Sequence, residues 1–377
     1  MQRIAITPRS NWQQSVENIG FGFHTADRPY WYEGAFYSFT LKEVEAIERA
    51  TGELWSLCLA AVEKVIDESL YESFHIPVSC KPFIEKSWKE DHPSIYGRFD
   101  LAFSDGEIKL LEFNADTPTS LFEAGIVQWF WLQEFDPGKD QFNSIHEKLI
   151  AHWKVLALLL RPGILYFSCI KDSLEDLTNL EYLRDCAIQA GLETGFVYME
   201  DIGWDGYRRE FVDMNDRSIR NIFKLYPWEW MIHESFGTHL MEKGDSICWM
   251  EPSWKMILSN KAILPLLWKM NPGHPLLLPA YFDRREMVHY VRKPLLSREG
   301  ANVDIVSGNV LLQSSGGDYG EEGHIFQEYF PLPDCTGNHP ILGSWVIGGE
   351  AAGMGVRECD GLITDNYSRF VPHLVEA

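Results

Sequence analysis

The sequence lacks a cysteine pattern typical of secreted proteins. It contains seven cysteines, an odd number, and no C-x-x-C pair, which favours reduced thiols in a cytoplasmic protein. The longest apolar run, VLALLL at 155–160, is far shorter than a membrane span. The N-terminal segment MQRIAITPRSNW has no apolar signal core. We therefore expect a cytoplasmic protein that has no membrane partner.

Basic residues are scarce relative to acidic ones. The chain has 33 Lys and Arg against 55 Asp and Glu, a formal net charge of -22. A nucleic-acid partner is disfavoured, because phosphate contacts require clustered Lys and Arg. An acidic surface favours the approach of a cationic ligand such as an amine or polyamine, although solubility is the more common reason for such a surface. The length of 377 residues allows a large core with two or three subdomains.

Several familiar catalytic motifs are also missing. There is no G-x-x-x-x-G-K-[ST] and no G-x-G-x-x-G that follows a strand. The segment HESFGTH at 233–239 lacks the i, i+4 histidine spacing of a zinc protease. No G-x-S-x-G occurs, so an esterase nucleophile is not indicated. Any nucleotide site must therefore use another arrangement of Lys and Gly.

Two capping boxes and a change of periodicity divide the chain. Thr40 to Glu43 and Ser144 to Glu147 each have the pattern that opens a helix. From residue 163, GILYFSCI predicts a strand, 177–191 a helix, and ETGFVYM a second strand. This order indicates a small α/β unit.

The C-terminal third has a different pattern. We expect a helix around 256–270, then the strand MVHYVRKP, and then loops rich in Gly and Ser. The last segment, ILGSWVIGGEAAGMGVREC, predicts a hairpin that turns at 348–350.

The strongest chemical signal is a hairpin with polar residues on one face. SIYGRFDLAF and EIKLLEFN flank the turn Asp105-Gly106. A three-residue loop would place 104 opposite 108, and the four polar side chains would share one face. These are Arg98, Asp100, Glu112 and Asn114. Three such oxygen ligands suit Mg²⁺, whereas the alternative is a solvated face with an Arg–Asp pair. The apolar flanking residues favour a central position for these strands.

Three later segments could hold a nucleotide. Lys261 opens the apolar segment KAILPLLW, and Lys293 ends a strand before a loop that contains Ser297 and Gly300. Lys provides compact positive charge, and Gly lets backbone amides approach phosphate oxygens. The segment IFQEYFPLPD at 325–334 could be a hinge strand beside an adenine ring. Taken alone, the Lys and Gly segments are more typical of a surface turn or a solvated Lys, and the alternative for 325–334 is an ordinary core strand.

Six ordered motifs resemble the glutathionylspermidine synthase family, specifically its ATP-grasp synthetase domain, from about Trp12 to the C-terminus. They are R-x-D at 98–100, L-E-F-N-A-D-T at 111–117, S-N-K-A at 259–262, K-P-x-x-x-R-x-G at 293–300, Q-x-x-x-x-L-P at 327–333 and G-x-x-x-R at 353–357. The resemblance implies an α+β or α/β chain with an ATP-grasp fold, a small pre-ATP-grasp-like α/β subdomain and a mobile lid.

The resemblance also implies one unit over 1–377 with four regions. They are a helical N-terminal part with the metal-binding hairpin (1–160), a small α/β substrate subdomain (161–235), the lid region (255–325) and the C-terminal part of the ATP site (326–377). The chain leaves no room for the amidase domain of some family members, so we expect no hydrolysis of the product.

Site residues follow from the same motifs. Asp100, Glu112 and Asn114 match Mg²⁺ ligands, for two ions, and Arg98 and Arg357 match catalytic arginines. The residues that match the ATP site are Lys261, Lys293, Ser297, Glu299, Gly300, Gln327, Glu328, Tyr329 and Phe330. Those that match the substrate site are Arg98, Thr117, Glu175 and Asp176.

The implied reaction joins an acid to an amine through an acyl phosphate made from ATP. The partners would be a glutathione-like or peptide acid and a polyamine-like amine. Leu225 stands where the family has a Thr that contacts glutathione, and Asp176 stands in place of a Glu, so another acid and amine pair remains an alternative. A nucleotide-binding protein with little ligase activity is a second alternative. The presence of every charged motif residue argues against it.

Overall fold

The computed structural model describes residues 1–25, 28–243, 246–365 and 367–376. Its α-helices are α1 (Trp12–Asn18), α2 (Leu41–Asp67), α3 (Lys81–Lys89), α4 (Gln128–Phe135), α5 (Ile145–Leu156), α6 (Leu174–Gln189), α7 (Trp228–Met231), α8 (Gly237–Lys243), α9 (Lys255–Leu258) and α10 (Ile263–Met270). Within these residues, no helix is long and apolar enough to cross a membrane.

The strands are β1 (Gln2–Ala5), β2 (Ala35–Thr40), β3 (Tyr96–Ser104), β4 (Glu107–Asn114), β5 (Leu165–Cys169), β6 (Thr194–Phe196), β7 (Gly203–Asp205), β8 (Glu210–Val212), β9 (Asn221–Leu225), β10 (Cys248–Met250), β11 (Ala280–Tyr281), β12 (His289–Pro294), β13 (Asp304–Ser307), β14 (Val310–Ser314), β15 (His324–Glu328), β16 (His339–Ile347), β17 (Glu350–Cys359), β18 (Arg369–Val371) and β19 (His373–Glu376). They form three larger sheets and two smaller ones, β1-β2-β19 and β7-β8.

An antiparallel sheet of order β18-β17-β16-β3-β4 carries the predicted hairpin in its last two strands. Helix α2 packs against β16 and β17. It buries an apolar stripe at helical spacing that includes Ile47, Leu54 and Cys58, so burial of one face fixes the helix on the sheet. Its predicted capping box is confirmed: Thr40 and Glu43 bond reciprocally across the first turn.

A parallel sheet of order β10-β9-β5-β6 forms the second layer. The predicted strand–helix–strand order is confirmed by β5, α6 and β6, and α6 begins at Leu174, where the Ser173 hydroxyl accepts the Asp176 amide. Strand β10 pairs in parallel with β9. The sheet therefore extends to residue 250, past the limit of 235 expected for this region.

The third sheet has the order β11-β15-β12-β13-β14, and Lys293 on β12 and Gln327 on β15 hydrogen-bond to the backbone of β4. The single helix expected around 256–270 is two helices, α9 and α10. Asn260 causes the break, because its Oδ1 accepts the Ala262 amide at 2.9 Å and its Nδ2 donates to the Phe74 carbonyl at 2.7 Å. The break lets the Lys261 amide donate to the Leu295 carbonyl at 2.9 Å, which ties Lys261 to the end of β12.

The second expected capping box is wrong. Helix α5 does begin at Ile145, but the Ser144 side chain makes no cap hydrogen bond. Its hydroxyl donates instead to the Ala352 carbonyl at 2.9 Å. A partner on β17 thus replaces the local one.

Candidate active site

The polar hairpin has the expected cross-strand pairs but a different turn. The turn has two residues, since Ser104 pairs with Glu107, and Asp105 and Gly106 both have positive φ, as a tight hairpin turn requires. Leu111 is an extra residue in β4, so the register shifts and Asp100 still faces Glu112. The bulge therefore compensates for the shorter turn.

Both carboxylates on this face are surrounded by cations. Arg98 Nε donates to Asp100 Oδ1 at 2.7 Å, and Arg357 Nη2 donates to Asp100 Oδ2 at 2.6 Å. Lys261 Nζ lies 3.3 Å from Glu112 Oε2. Burial opposes ionisation of Glu112, but the charges of Lys261 and Lys293 hold its pKa well below the usual range. Each of the two acidic side chains is therefore paired with basic side chains on this face.

Asn114 completes the set, because its Nδ2 donates to Glu112 Oε1 at 3.1 Å. No group of three or more His, Cys, Asp or Glu side chains that could hold a metal occurs in the part of the chain described. Two carboxylates and an amide oxygen nevertheless suit Mg²⁺, which keeps several waters and needs few protein ligands. The donor set thus matches the ion implied by the sequence.

Asp116, in the same motif, faces elsewhere. Its Oδ1 accepts Lys224 Nζ at 2.7 Å, and its Oδ2 accepts the Trp228 amide at 2.9 Å. The Asp116 and Lys224 side chains are only 1% and 0% exposed. This ion pair joins the end of the hairpin to β9 and α7.

A cavity with an empty volume of about 800 Å³ lies between the hairpin and the third sheet. It is lined by eight of the nine residues expected to hold ATP: Lys261, Lys293, Ser297, Gly300, Gln327, Glu328, Tyr329 and Phe330. Glu299, the ninth, lines the adjoining substrate cavity instead. Apolar side chains, among them Val291, Ile305 and Leu362, also line the nucleotide cavity.

Lys293 is held at the bulge of the hairpin. Its Nζ donates to the Leu111 carbonyl at 2.9 Å and to Gln327 Oε1 at 2.8 Å, while Gln327 Nε2 donates to the Leu110 carbonyl at 2.9 Å. Burial lowers the pKa of Lys293 to about 8. The bulge therefore connects β4 to the side chains of the nucleotide cavity.

Gly300 allows a close approach between two loops. It has φ +68°, a conformation that glycine adopts at little cost. A Cβ there would collide with the Thr364 carbonyl oxygen and lie 2.8 Å from Ile363 Cγ2. The loop that follows β12 can therefore lie directly against the 361–365 segment.

The cavity around Lys261 and Lys293, named the nucleotide cavity after the ligand expected there, adjoins a second cavity. We name the second the substrate cavity after the residues expected to bind substrate, and both are lined by Asp100 and Glu112. All expected substrate residues line the substrate cavity, namely Arg98, Thr117, Glu175 and Asp176, together with Arg357. Burial raises the pKa of Glu175 and Asp176, and for Glu175 the charge of Asp176 adds to the effect. The cavity thus contains two arginines that hydrogen-bond to Asp100, together with two further acids.

Two residues that line these cavities, Arg298 and Tyr30, were assigned no role from the sequence. Arg298 forms an ion pair with Glu229, and its Nη1 donates to Thr117 Oγ1 at 2.7 Å. The K-P-x-x-x-R-x-G motif includes Arg298 and could have identified it. Tyr30, in a neighbouring cavity with Glu175 and Arg357, had no motif to mark it.

A family model described as glutathionylspermidine synthase pre-ATP-grasp matches residues 3–376. The chain is 41% identical to a Haemophilus influenzae protein provisionally named an acid–amine ligase, over 99% of both chains. It is 30% identical to a trypanothione synthetase of Crithidia fasciculata, over 82% of this chain and 52% of that protein. It is 27% identical to the bifunctional glutathionylspermidine synthetase/amidase of Escherichia coli, over 92% of this chain and 60% of that enzyme.

Among solved structures, a glutathione synthetase-like effector from Globodera pallida aligns over 90% of this chain and 89% of its own, with a TM-score of 0.56 and 12% identity. That likeness concerns the fold, which is a mixed α/β architecture related to ATP-grasp proteins. The chain spans only about half to three-fifths of the trypanothione and glutathionylspermidine synthetases. The chain belongs to the glutathionylspermidine synthase family and is a ligase of that type.

Proposed function

We propose that the protein is an ATP- and Mg²⁺-dependent ligase that joins a carboxylic acid to an amine through an acyl phosphate. One observation carries the proposal: the nucleotide cavity and the substrate cavity meet at Asp100 and Glu112. A phosphoryl group at that junction would be within reach of both a nucleotide and an acid. Little covalent chemistry would then fall to the protein, whose work is positioning and charge neutralisation.

The nucleotide would lie with its base against the apolar wall and the segment from Gln327 to Phe330. Lys261 and Lys293 would contact phosphate oxygens, since both ammonium groups surround Glu112. Ser297, Glu299 and Gly300 belong to the loop that would cover the phosphates. We propose that the loops at 297–303 and 314–323 act as the lid and exclude water, which otherwise hydrolyses an acyl phosphate.

Asp100, Glu112 and Asn114 would hold Mg²⁺, as two ions, and the metal would supply neutralisation of phosphate charge. Arg357 bonds to Asp100 Oδ2, one of the proposed ligand atoms. If Mg²⁺ took that oxygen as a ligand, the Arg357 guanidinium would be able to turn to the transferring phosphoryl group. Arg98 keeps a second anchor in the Thr119 carbonyl, at 2.6 Å, and so can orient the acid. Removing one such cation typically reduces the rate about 10²–10³-fold.

The acid would bind near Thr117 and Arg98, and the amine near Glu175 and Asp176. A cationic ligand favours the ionised forms of nearby acids, and the stabilisation is largest for buried acids whose pKa values are raised. This favours a polyamine-like amine. The relatives' names, trypanothione synthetase and glutathionylspermidine synthetase, support a glutathione-like or peptide acid. All seven cysteines are free thiols, which supports a cytoplasmic location.

A second acid class is favoured by the lining of the substrate cavity. Leu225, Tyr226 and Trp230 line it, and the cation beside Trp230, Arg298, is already paired with Glu229. A peptide with an apolar or aromatic residue next to the reacting carboxyl group would bury more apolar surface there. The same chemistry on such a peptide is the alternative to glutathione.

The test is ATP consumption with Mg²⁺, glutathione and spermidine, added singly and together, with mass spectrometry of the products. A conjugate that forms only in the complete mixture supports the glutathione and spermidine pair. ADP without a conjugate directs the search to other acids and amines, beginning with peptides. A folded protein that binds ADP but turns over no ATP with any acid and amine tested refutes the proposed reaction.

A further inference from the structure

A buried carboxylate lies behind the amine side of the site. Glu123 opens a π-helical turn at Glu123–Val127 and is 0% exposed. Its Oε1 accepts the Tyr30 hydroxyl at 2.6 Å. Within the described residues, its Oε2 has no hydrogen-bond partner. An incompletely paired buried carboxyl group is costly in free energy, so its presence calls for a functional reason.

Tyr30 connects this carboxyl group to a cavity. The Tyr30 hydroxyl also lies 3.1 Å from Ser120 Oγ. Both residues line a third cavity, with an empty volume of about 1010 Å³, which Glu175 and Arg357 line as well. Ser120 has φ +66°, and such strained conformations of non-glycine residues cluster at functional sites. The hydrogen bonds from Ser120 to Tyr30 and from Tyr30 to Glu123 thus connect this cavity with the buried core.

The third cavity adjoins the proposed reaction centre. It shares Arg357 and Glu175 with the substrate cavity. Arg357 contacts Asp100, and Arg98 donates to the carbonyl of Thr119, the residue just before Ser120. An amine that enters through this cavity would therefore approach the acyl group from the side of Tyr30.

We propose that Tyr30 and Glu123 form a proton relay that deprotonates the amine substrate before it attacks the acyl phosphate. The ammonium group gives a proton to Tyr30 Oη while the Tyr30 hydroxyl proton passes to Glu123. The free amine then forms the C–N bond, and phosphate leaves with the electrons of the C–O bond and takes up the second proton that the amine nitrogen loses. Glu123 later returns the proton to solvent. The inference rests on the proposed ligase function and assigns its missing base.

The electrostatics around Glu123 suit this role. The groups that face it are Tyr30, Glu175 and Arg98. Burial and the charge of Glu175 raise the pKa of Glu123 to about 8, near the value at which a general base works best at neutral pH. Burial, with the charge of Glu123, raises the pKa of Tyr30 well above its usual value. Tyr30 therefore passes a proton on rather than ionising by itself.

A different role for Glu123 would be to bind the ammonium group without accepting its proton. That role predicts a weaker KM for the amine with little change in kcat. The relay predicts a lower kcat that depends on the basicity of the amine. The two roles are separable with two acceptors, spermidine and hydroxylamine, since hydroxylamine is mostly unprotonated at neutral pH and attacks acyl phosphates unaided.

The experiment compares Glu123→Gln and Tyr30→Phe with the unaltered protein, using Mg²⁺, ATP and glutathione. Matched controls are Glu181→Gln, an exposed carboxylate on α6, and Tyr207→Phe, which is 98% exposed. We expect each relay variant to lose about 10²-fold in kcat with spermidine, and far less in hydroxamate formation. In the unaltered protein the spermidine rate should rise with pH through about 8, as Glu123 becomes ionised, and Glu123→Gln should lose that rise.

Equal losses with both acceptors, or a change in KM alone, would overturn the relay. So would a Glu123 carboxyl resonance that titrates in the ordinary range in ¹³C NMR of glutamate-labelled protein, assigned by its absence from Glu123→Gln. The NMR measurement needs no substrate, and it does not depend on the folding of Tyr30→Phe. If the unaltered protein forms no ATP-dependent hydroxamate with glutathione or with any peptide acid tested, the ligase proposal is refuted instead, so the two failures are distinguishable.

Discussion

Replacing Lys224 by Met should destabilise the protein strongly, because it leaves the Asp116 carboxylate buried and without its cation. Lys224 Nζ donates to Asp116 Oδ1 at 2.7 Å and to the Tyr226 carbonyl at 2.9 Å. It also lies 4.5 Å from the centre of the Trp228 ring. Met has a similar length and leaves no large cavity, so the main effect is electrostatic.

The magnitude follows from burial. Neither side chain of the pair exceeds 1% exposure, and removing one partner of such a pair typically costs about 3–5 kcal/mol. In the double variant with Asp116→Asn, no charge remains, and the Asn oxygen can still accept the Trp228 amide. We therefore expect the double variant to be more stable than Lys224→Met alone, with a coupling energy of about 2–3 kcal/mol.

The assay is urea unfolding followed by the fluorescence of the 14 tryptophans. The matched control is Lys171→Met, since Lys171 pairs with Asp201 at 2.6 Å but is 44% exposed. That surface pair should contribute only about 0–1 kcal/mol. Additive effects of Lys224→Met and Asp116→Asn would refute the reasoning, as would a loss for Lys224→Met no larger than for Lys171→Met.

Three further outcomes test the site. Gly300→Ala should weaken ADP binding about tenfold or more, because backbone strain and steric overlap displace the loop. The control is Gly308→Ala, at φ +61° with open space around it, which measures the effect of backbone strain alone. Equal losses of ADP affinity in the two variants would contradict the steric explanation. ADP affinity in EDTA should be steady below pH 8 and fall above it as Lys293 loses its proton. Lys293→Arg should remove that fall, and titration calorimetry across pH 6.5–9.5 measures both affinities. Asp100→Asn should raise the Mg²⁺ concentration needed for half-maximal turnover, whereas Asp116→Asn should leave it unchanged; equal shifts would show that Asp116 also binds the ion.

Local periodicity was enough to predict the polar face of the hairpin. Alternation of side chains within a strand placed Arg98 with Asp100, and Glu112 with Asn114, whatever the turn. The relative register depended on two features that cancel, a turn one residue shorter than expected and an extra residue at Leu111. The facing pairs were therefore correct although the expected loop was not.

Motifs, rather than secondary-structure propensity, grouped the residues that line the cavity between the hairpin and the third sheet. Lys293 and Gln327 are 34 residues apart, yet they are hydrogen-bonded through side chains in the cavity. Only ordered spacing of the motifs linked them, because neither residue is distinctive in its own segment. The helix break at Asn260 was not predicted, because a short polar segment inside an apolar run does not reveal that the Asn260 side chain donates to the Phe74 carbonyl.

Contacts over long sequence separations account for the remaining errors. Asp116 follows Asn114 by two residues, but β4 ends at Asn114, so the alternation that placed Glu112 and Asn114 on one face no longer applies. Its partner, Lys224, is 108 residues away, and Tyr30 meets Glu123 across 93 residues. Ser144 and Thr40 have the same local pattern, but only Thr40 caps its helix, because the Ser144 hydroxyl lies close to the Ala352 carbonyl and donates to it. A side chain that can satisfy its hydrogen bonds locally follows the sequence pattern until tertiary packing offers it a buried partner.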